Sequence, residues 1–201
     1  MNAETYQLIL DLINRTKKHL FVTGKAGTGK TTLLRKIKSN TYKKLAIAAP
    51  TGVAAINAGG VTIHSLLGLP TDMFVPGVVS KHESELKFTT SDSLKERLNL
   101  SQKKIKLIRE LELLVIDEAG MLRADLLDCV DLTLQIVKKN KESFGGLQLI
   151  LIGDLFQLPP VIKDNEKELL KTFYNSIYFF DAKVFNTEKP VLLELNTVLR
   201  Q

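Results

Sequence analysis

Residues 24–31 read Gly-Lys-Ala-Gly-Thr-Gly-Lys-Thr: a glycine, four residues, then Gly29, Lys30 and Thr31. The spacing suits phosphate. Gly24, Gly27 and Gly29 let the backbone turn tightly, so that N–H groups of the loop, including those of Ala26 and Thr28, converge on one anion. A helix that opens at Lys30, Thr31 and Thr32 adds the positive end of its dipole. Lys30 would reach the outer phosphates, and the Thr31 hydroxyl would meet Mg²⁺. Asp117 and Glu118 form a second group, directly after the apolar run Leu113-Leu114-Val115-Ile116. Carboxylates at the end of a buried strand are costly unless they meet a cation or water. Beside a phosphate loop, Asp117 would hold Mg²⁺ through water and Glu118 would deprotonate an attacking water. The alternative is a helix cap and a first-turn acid, which would also be favourable. Gln157 follows the run 147–152 and can both donate and accept, so it could sense a γ-phosphate or its attacking water.

These residues need strands that end at a common edge. The runs 19–23, 44–49, 113–116, 147–152 and 191–195 are short, apolar and partly β-branched, as expected of strands buried on both faces. Helical periodicity separates them at 5–16, 32–37, 101–111 and 121–139, the last with Leu122, Leu126, Val130, Leu134 and Val137 as its stripe. Alternating strands and helices imply an α/β domain with a mostly parallel sheet flanked by helices. Pro50-Thr51-Gly52 ends the second strand, and Thr51 is a plausible N-cap for the helix after it. Residues 165–174 read as a helix, 177–180 as a short strand, and 181–185 as a turn capped by Asp181. Residues 70–100 lose the periodicity and are too long for an ordinary connection. They read as an insertion with a hairpin or short helices, or as a surface loop.

Several single residues stay open on spacing alone. Gln7 could read an adenine edge or simply face solvent, and Asn2 is a second candidate for that task. His64, next to Ser65, could stack on a base or contact a phosphate, or be structural. No cysteine or second histidine stands at metal-ligand spacing beside it, which argues against zinc. Arg200 could supply positive charge to a phosphoryl-transfer transition state, or be a surface arginine.

The totals set outer bounds. The 201 residues are 44% hydrophobic, enough for a packed core, and no apolar run approaches the roughly 20 residues of a membrane span. The formal charge of +6 favours polyanionic partners. Cys129 stands alone, so no internal disulfide can form, which suits a reducing cytoplasm.

In order along the chain, residues 24–31, 49–52, 62–69, 117–118, 153–160 and 199–201 resemble the motifs of superfamily 1 DNA helicases, specifically the Pif-type, RecD-like branch. Gly153-Asp154 with Gln157-Leu158-Pro159-Pro160, and Thr62-Ile63-His64-Ser65-Leu66, carry the most specific likeness. The resemblance implies a RecA-like P-loop domain over residues 1–201, with a small inserted subdomain at about 70–100. It implies ATP and Mg²⁺ as ligands and 5′→3′ movement on single-stranded DNA, in work of the DNA-repair and telomere-maintenance kind. Lys30 and Thr31 correspond to the nucleotide loop, Asp117 to the metal-binding acid and Glu118 to the catalytic one. Gln157 corresponds to the γ-phosphate sensor, Arg200 to the first-domain arginine, and Gln7 to the adenine-reading glutamine, in looser surroundings than the family pattern. Pro50, Thr51, Gly52, His64 and Ser65 fall in motifs that contact single-stranded DNA. Only the first of two RecA-like domains is matched. The expectation is therefore a fragment whose second wall lies in cis in a longer, monomeric protein of a bacterial cytoplasm or nucleoid. Alone it should hydrolyse ATP slowly and unwind nothing. The competing expectations are an AAA+ loader-like ATPase and a nucleotide-gated single-stranded DNA-binding module without turnover.

Overall fold

The computed structural model describes residues 3–77 and 87–196. Six parallel strands form one sheet. They are β1 (Leu20–Thr23), β2 (Leu45–Ala49), β3 (Val61–Thr62), and, after the short strands β4 (Met73–Val75) and β5 (Phe88–Thr90), β6 (Leu113–Ile116), β7 (Gln148–Gly153) and β8 (Val191–Glu194). Their spatial order is β3-β2-β6-β7-β1-β8. Among the described residues, eight α-helices accompany them: α1 (Ala3–Arg15), α2 (Lys30–Asn40), α3 (Gly52–Ala58), α4 (Ile63–Leu67), α5 (Ser91–Arg97), α6 (Gln102–Glu110), α7 (Ala124–Lys138) and α8 (Asp164–Lys171).

The apolar runs explain the layering. In β6, Leu113 and Val115 face the core shared with Ile9 and Ile13 of α1 and Leu33 and Ile37 of α2. Leu114 and Ile116 face the other core, with Leu127, Val130 and Leu134 of α7. β7 repeats the alternation, with Ile150 and Ile152 on the first side and Leu149 and Leu151 on the second. A strand covered on both sides can afford no polar alternation, so its sequence is continuously apolar.

Four local expectations change. Residues 70–100 form no hairpin in their described part, because Met73–Val75 pairs in parallel with Phe88–Thr90. Met73, Phe74, Val75 and Leu94 sit in the same core as α7, and the Phe74 N–H donates to Asp125 at 3.1 Å. Residues 177–180 are no strand. Tyr178 makes one isolated antiparallel bridge to Arg123, then Phe179–Asp181 turns as a 3-10 helix. The next turn is capped not by Asp181 but by buried Asp128, whose carboxylate accepts from the Lys183 and Val184 N–H groups at 3.0 Å each. The long helix starts at Ala124 rather than 121, because Ala119–Met121 forms its own 3-10 turn against β7. Among the described residues, no helix is long and apolar enough to cross a membrane.

Candidate active site

Parallel pairing brings distant residues to one edge. The neighbours β2, β6, β7 and β1 end at Ala49, Ile116, Gly153 and Thr23. The segments that follow them begin at Pro50, Asp117, Asp154 and Gly24, side by side where open α/β sheets bind ligands.

The loop after β1 is built around its glycines. Gly27 and Gly29 have φ of 80° and 94°, a left-handed backbone that a side chain would resist. A Cβ on Gly24 would lie 2.6 Å from Thr28 Oγ1 and 2.8 Å from the Leu195 carbonyl, so glycine is required there too. Thr28 is buried, and its hydroxyl donates to the Lys25 carbonyl at 2.8 Å. Lys30 Nζ donates to the carbonyls of Gly24 at 2.5 Å and Lys25 at 3.1 Å, which holds the ammonium across the loop. No acidic residue stands in the first turn of α2, so nothing there neutralises its dipole. Ala26 is exposed on the loop, and Thr32 is exposed on α2.

Across from the loop, the Asp117 N–H donates to the Ala48 carbonyl at 2.9 Å, which extends the β2–β6 ladder. Burial raises the Asp117 carboxyl above its ordinary range, against the Glu118 N–H and Lys30, which favour the charged form. Glu118 is raised by burial and then by Asp117, with Lys30 opposing. Its backbone is left-handed, φ 53°, and its side chain caps nothing. A non-glycine residue in that region costs about 1–2 kcal/mol. The helix-cap alternative for this acid pair therefore fails at Glu118.

Gln157 is held by Asp154. The Asp154 carboxylate accepts from the Phe156 N–H and from Gln157 Nε2, both at 3.0 Å. The loops after β6 and β7 touch through glycines. A Cβ on Gly153 would sit 2.8 Å from the Ala119 nitrogen, and one on Gly120 would sit 2.5 Å from the Asp154 carbonyl. Thr31, Thr51, Asp117, Glu118 and Gln157 line one cleft of ≈ 370 Å³.

These residues fit a nucleoside triphosphate with a hard cation. The loop offers backbone donors and a lysine, and Thr31 and Asp117 offer oxygen ligands in the same cleft. Among the described residues, no cluster of three or more His, Cys, Asp or Glu is placed to hold a metal.

A second pocket of ≈ 220 Å³ adjoins the first and is lined by Pro50, Thr51, His64, Phe74, Arg123 and Asp125, among others. Thr51 and Met121 border both. Thr51 caps α3, accepting from the Ala54 N–H at 3.3 Å. Burial, then Arg123, lowers the His64 pKa, which favours a neutral ring. Gly52 opens α3, with no atom within 4 Å of a built Cβ.

Ser65 and Gln7 lie apart from these pockets. Ser65 lines a different cavity with Val61 and Lys104. Gln7 sits on exposed α1, with its amide donating to Asp11 at 3.3 Å. Arg200, like Asn2, lies outside the described residues. Arg123 was not predicted. Its guanidinium donates twice to Asp125 and once to Glu166, each at 2.8 Å. The signal was local: a cation at the N-cap of α7 opposes the helix dipole unless acids compensate.

The family model for PIF1-like helicases matches residues 2–201. The ATP-dependent DNA helicase PIF1 of Saccharomyces cerevisiae is 36% identical over 188 residues, covering 91% of this chain and 19% of its own. The Psychrobacter helicase Pif1 is 37% identical over 180 residues, covering 86% of this chain and 24% of its own. Among solved structures, Bacteroides Pif1 in complex with ADP-AlF3 and single-stranded DNA superposes with a TM-score of 0.85 at 43% identity, over all of this chain and 43% of that one. Candida albicans Pif1 superposes at 0.76 with 28% identity, over all of this chain and 41% of that one. The chain thus spans about a fifth to a quarter of these curated relatives.

Proposed function

Because the chain belongs to the PIF1-like helicase family, we propose that it is the ATP-binding, RecA-like first domain of a 5′→3′ DNA helicase. The observation that carries this reading is the single cleft lined by Thr31, Asp117, Glu118 and Gln157 at the carboxyl edge of the sheet. Relatives named ATP-dependent DNA helicases, and a relative solved with ADP-AlF3 and single-stranded DNA, support it.

In this reading the loop 24–29 and the N-terminus of α2 bind the phosphates, and Lys30 turns from the loop carbonyls to the outer ones. The Thr31 hydroxyl and Asp117 would hold Mg²⁺, which would supply positive charge to the phosphates. Glu118 accepts a proton from the water that attacks the γ-phosphorus. The bond to the bridging oxygen breaks, and ADP and phosphate result. Burial suits Glu118 to this task, because a raised pKa makes it a better proton acceptor. Gln157, steered by Asp154, positions the water and senses the γ-phosphate. Arg200 adds positive charge in the transition state, and Gln7 reads the adenine.

Pro50, Thr51, Gly52, His64 and Ser65 contact single-stranded DNA. Thr51 and Met121 form the wall common to the DNA pocket and the hydrolysis cleft, so a shift on one side is felt on the other. A second RecA-like domain in cis closes over the cleft. Apolar side chains lining the cleft, with Val53 73% and Leu158 67% exposed, support such a cover. We further propose a monomer working in a reducing cytoplasm or nucleoid. The lone cysteine, Cys129, is consistent with that setting, its thiol buried and its pKa pushed up to about 12.

Calorimetry with Mg-ADP and anisotropy with single-stranded DNA test the reading on this chain. Lys30→Ala should weaken nucleotide binding by at least about tenfold, the loss of one charge-assisted contact. DNA affinity should fall with salt and be unaffected by Lys30→Ala. Unchanged nucleotide affinity in the variant would overturn the assignment.

A further inference from the structure

A groove of ≈ 710 Å³ lies between α5, α6 and α7 and takes no part in the site above. Leu98, Leu100, Ile105, Leu132, Ile136 and Val137 form its apolar surface. Lys95, Arg109, Lys139 and Lys141 are exposed at its rim, and among the described residues no acid lines it. Among the described residues, none of these four cations is in an ion pair. The walls are firmly joined. Lys138 Nζ donates to the Arg109 and Leu111 carbonyls at 2.9 and 2.7 Å, and Arg109 Nε donates to Val137 at 2.9 Å. The groove is therefore preformed. It also lies far from the chemistry: α7 starts just after the Glu118 loop and runs back across the sheet, and the groove borders its last turn.

We propose that this groove docks an acidic, amphipathic peptide segment of a partner protein. Charge complementarity selects the occupant. Four unpaired cations around aliphatic side chains call for a ligand with carboxylates outside and apolar side chains inside. A nucleic acid would use the cations but gain nothing from six aliphatic residues, and among the described residues the groove offers no aromatic ring for a base to stack on. The inference is independent of the nucleotide site.

The test uses this chain and a fluorescein-labelled synthetic peptide of about 16 residues, with Leu at i, i+3, i+4 and i+7 and Glu elsewhere. Fluorescence anisotropy should give saturable binding with Kd on the order of 10 µM. The double variant Lys95→Glu/Lys141→Glu should weaken it at least about tenfold while leaving the melting temperature and Mg-ADP affinity unchanged. A peptide with Ser for Leu should lose about as much. Ile136→Ser probes the apolar wall directly, and the two exposed lysines serve should that variant fail to fold. Any of three results would overturn the proposal: no saturable binding below millimolar peptide, equal affinity for the Ser peptide, or a double variant that loses DNA affinity in place of peptide affinity.

Discussion

Arg123, five residues past Glu118, ties the start of α7 to α8, and its removal has a calculable cost. The guanidinium is held by three hydrogen bonds of 2.8 Å to Asp125 and Glu166. Those acids are only 3% and 8% exposed. Arg123→Met strips both of their cation. Asp125 keeps one donor, the Phe74 N–H, and Glu166 keeps Lys163 at 3.8 Å. Removing one partner from a buried ion pair costs about 3–5 kcal/mol. Glu166→Gln leaves both bonds to Asp125 intact and should cost only about 1.5–3 kcal/mol. The two changes share an interaction, so together they should cost about 1–2 kcal/mol less than their sum. Urea unfolding followed by circular dichroism reads these values, with the slope unchanged. For a chain of this length, Arg123→Met should lower the melting temperature by roughly 6–20 °C. A loss below about 1 kcal/mol would refute the view that this network is tightly satisfied in the folded chain.

Two further predictions concern the acids and the glycines. Burial raises the Asp117 and Glu118 carboxyls from 3.8 and 4.5, so the folded chain holds their protons to higher pH than the unfolded one, and stability falls as pH rises above those values. Asp117→Asn and Glu118→Gln should each raise stability at neutral pH, with the gain shrinking as pH falls through the raised folded values and gone below about pH 3.5, as urea unfolding against pH would record. Gly153→Ala drives a Cβ to 2.8 Å from the Ala119 nitrogen. It should cost about 1–3 kcal/mol in unfolding experiments and, by shifting the Glu118 loop, slow ATP turnover in the full-length protein by on the order of 10²-fold.

The parallel α/β sheet was legible because its strands are buried on both faces and their sequences say so. The tight loop after β1 was legible because Gly24, Gly27 and Gly29 each answer a backbone demand that a side chain would resist. What escaped depends on long-range partners. Nothing in 177–180 shows that its backbone will find a single bridge at Arg123 rather than a ladder. Nothing near 181 shows that Asp128, on α7, will cap that turn. The parallel pairing of β4 with β5 follows from packing against α7, and local periodicity carries no trace of it. Arg123 itself was visible, yet its second partner, Glu166, is 43 positions away.

In the proposed reaction, Glu118 takes the proton from the water that attacks ATP. Glu118→Gln in the full-length protein tests it, with DNA-stimulated ATP turnover and Mg-ADP affinity measured side by side. Turnover should fall by about 10²–10⁴-fold while Mg-ADP affinity stays within a few-fold of the original. Turnover that persists in the variant would contradict the account.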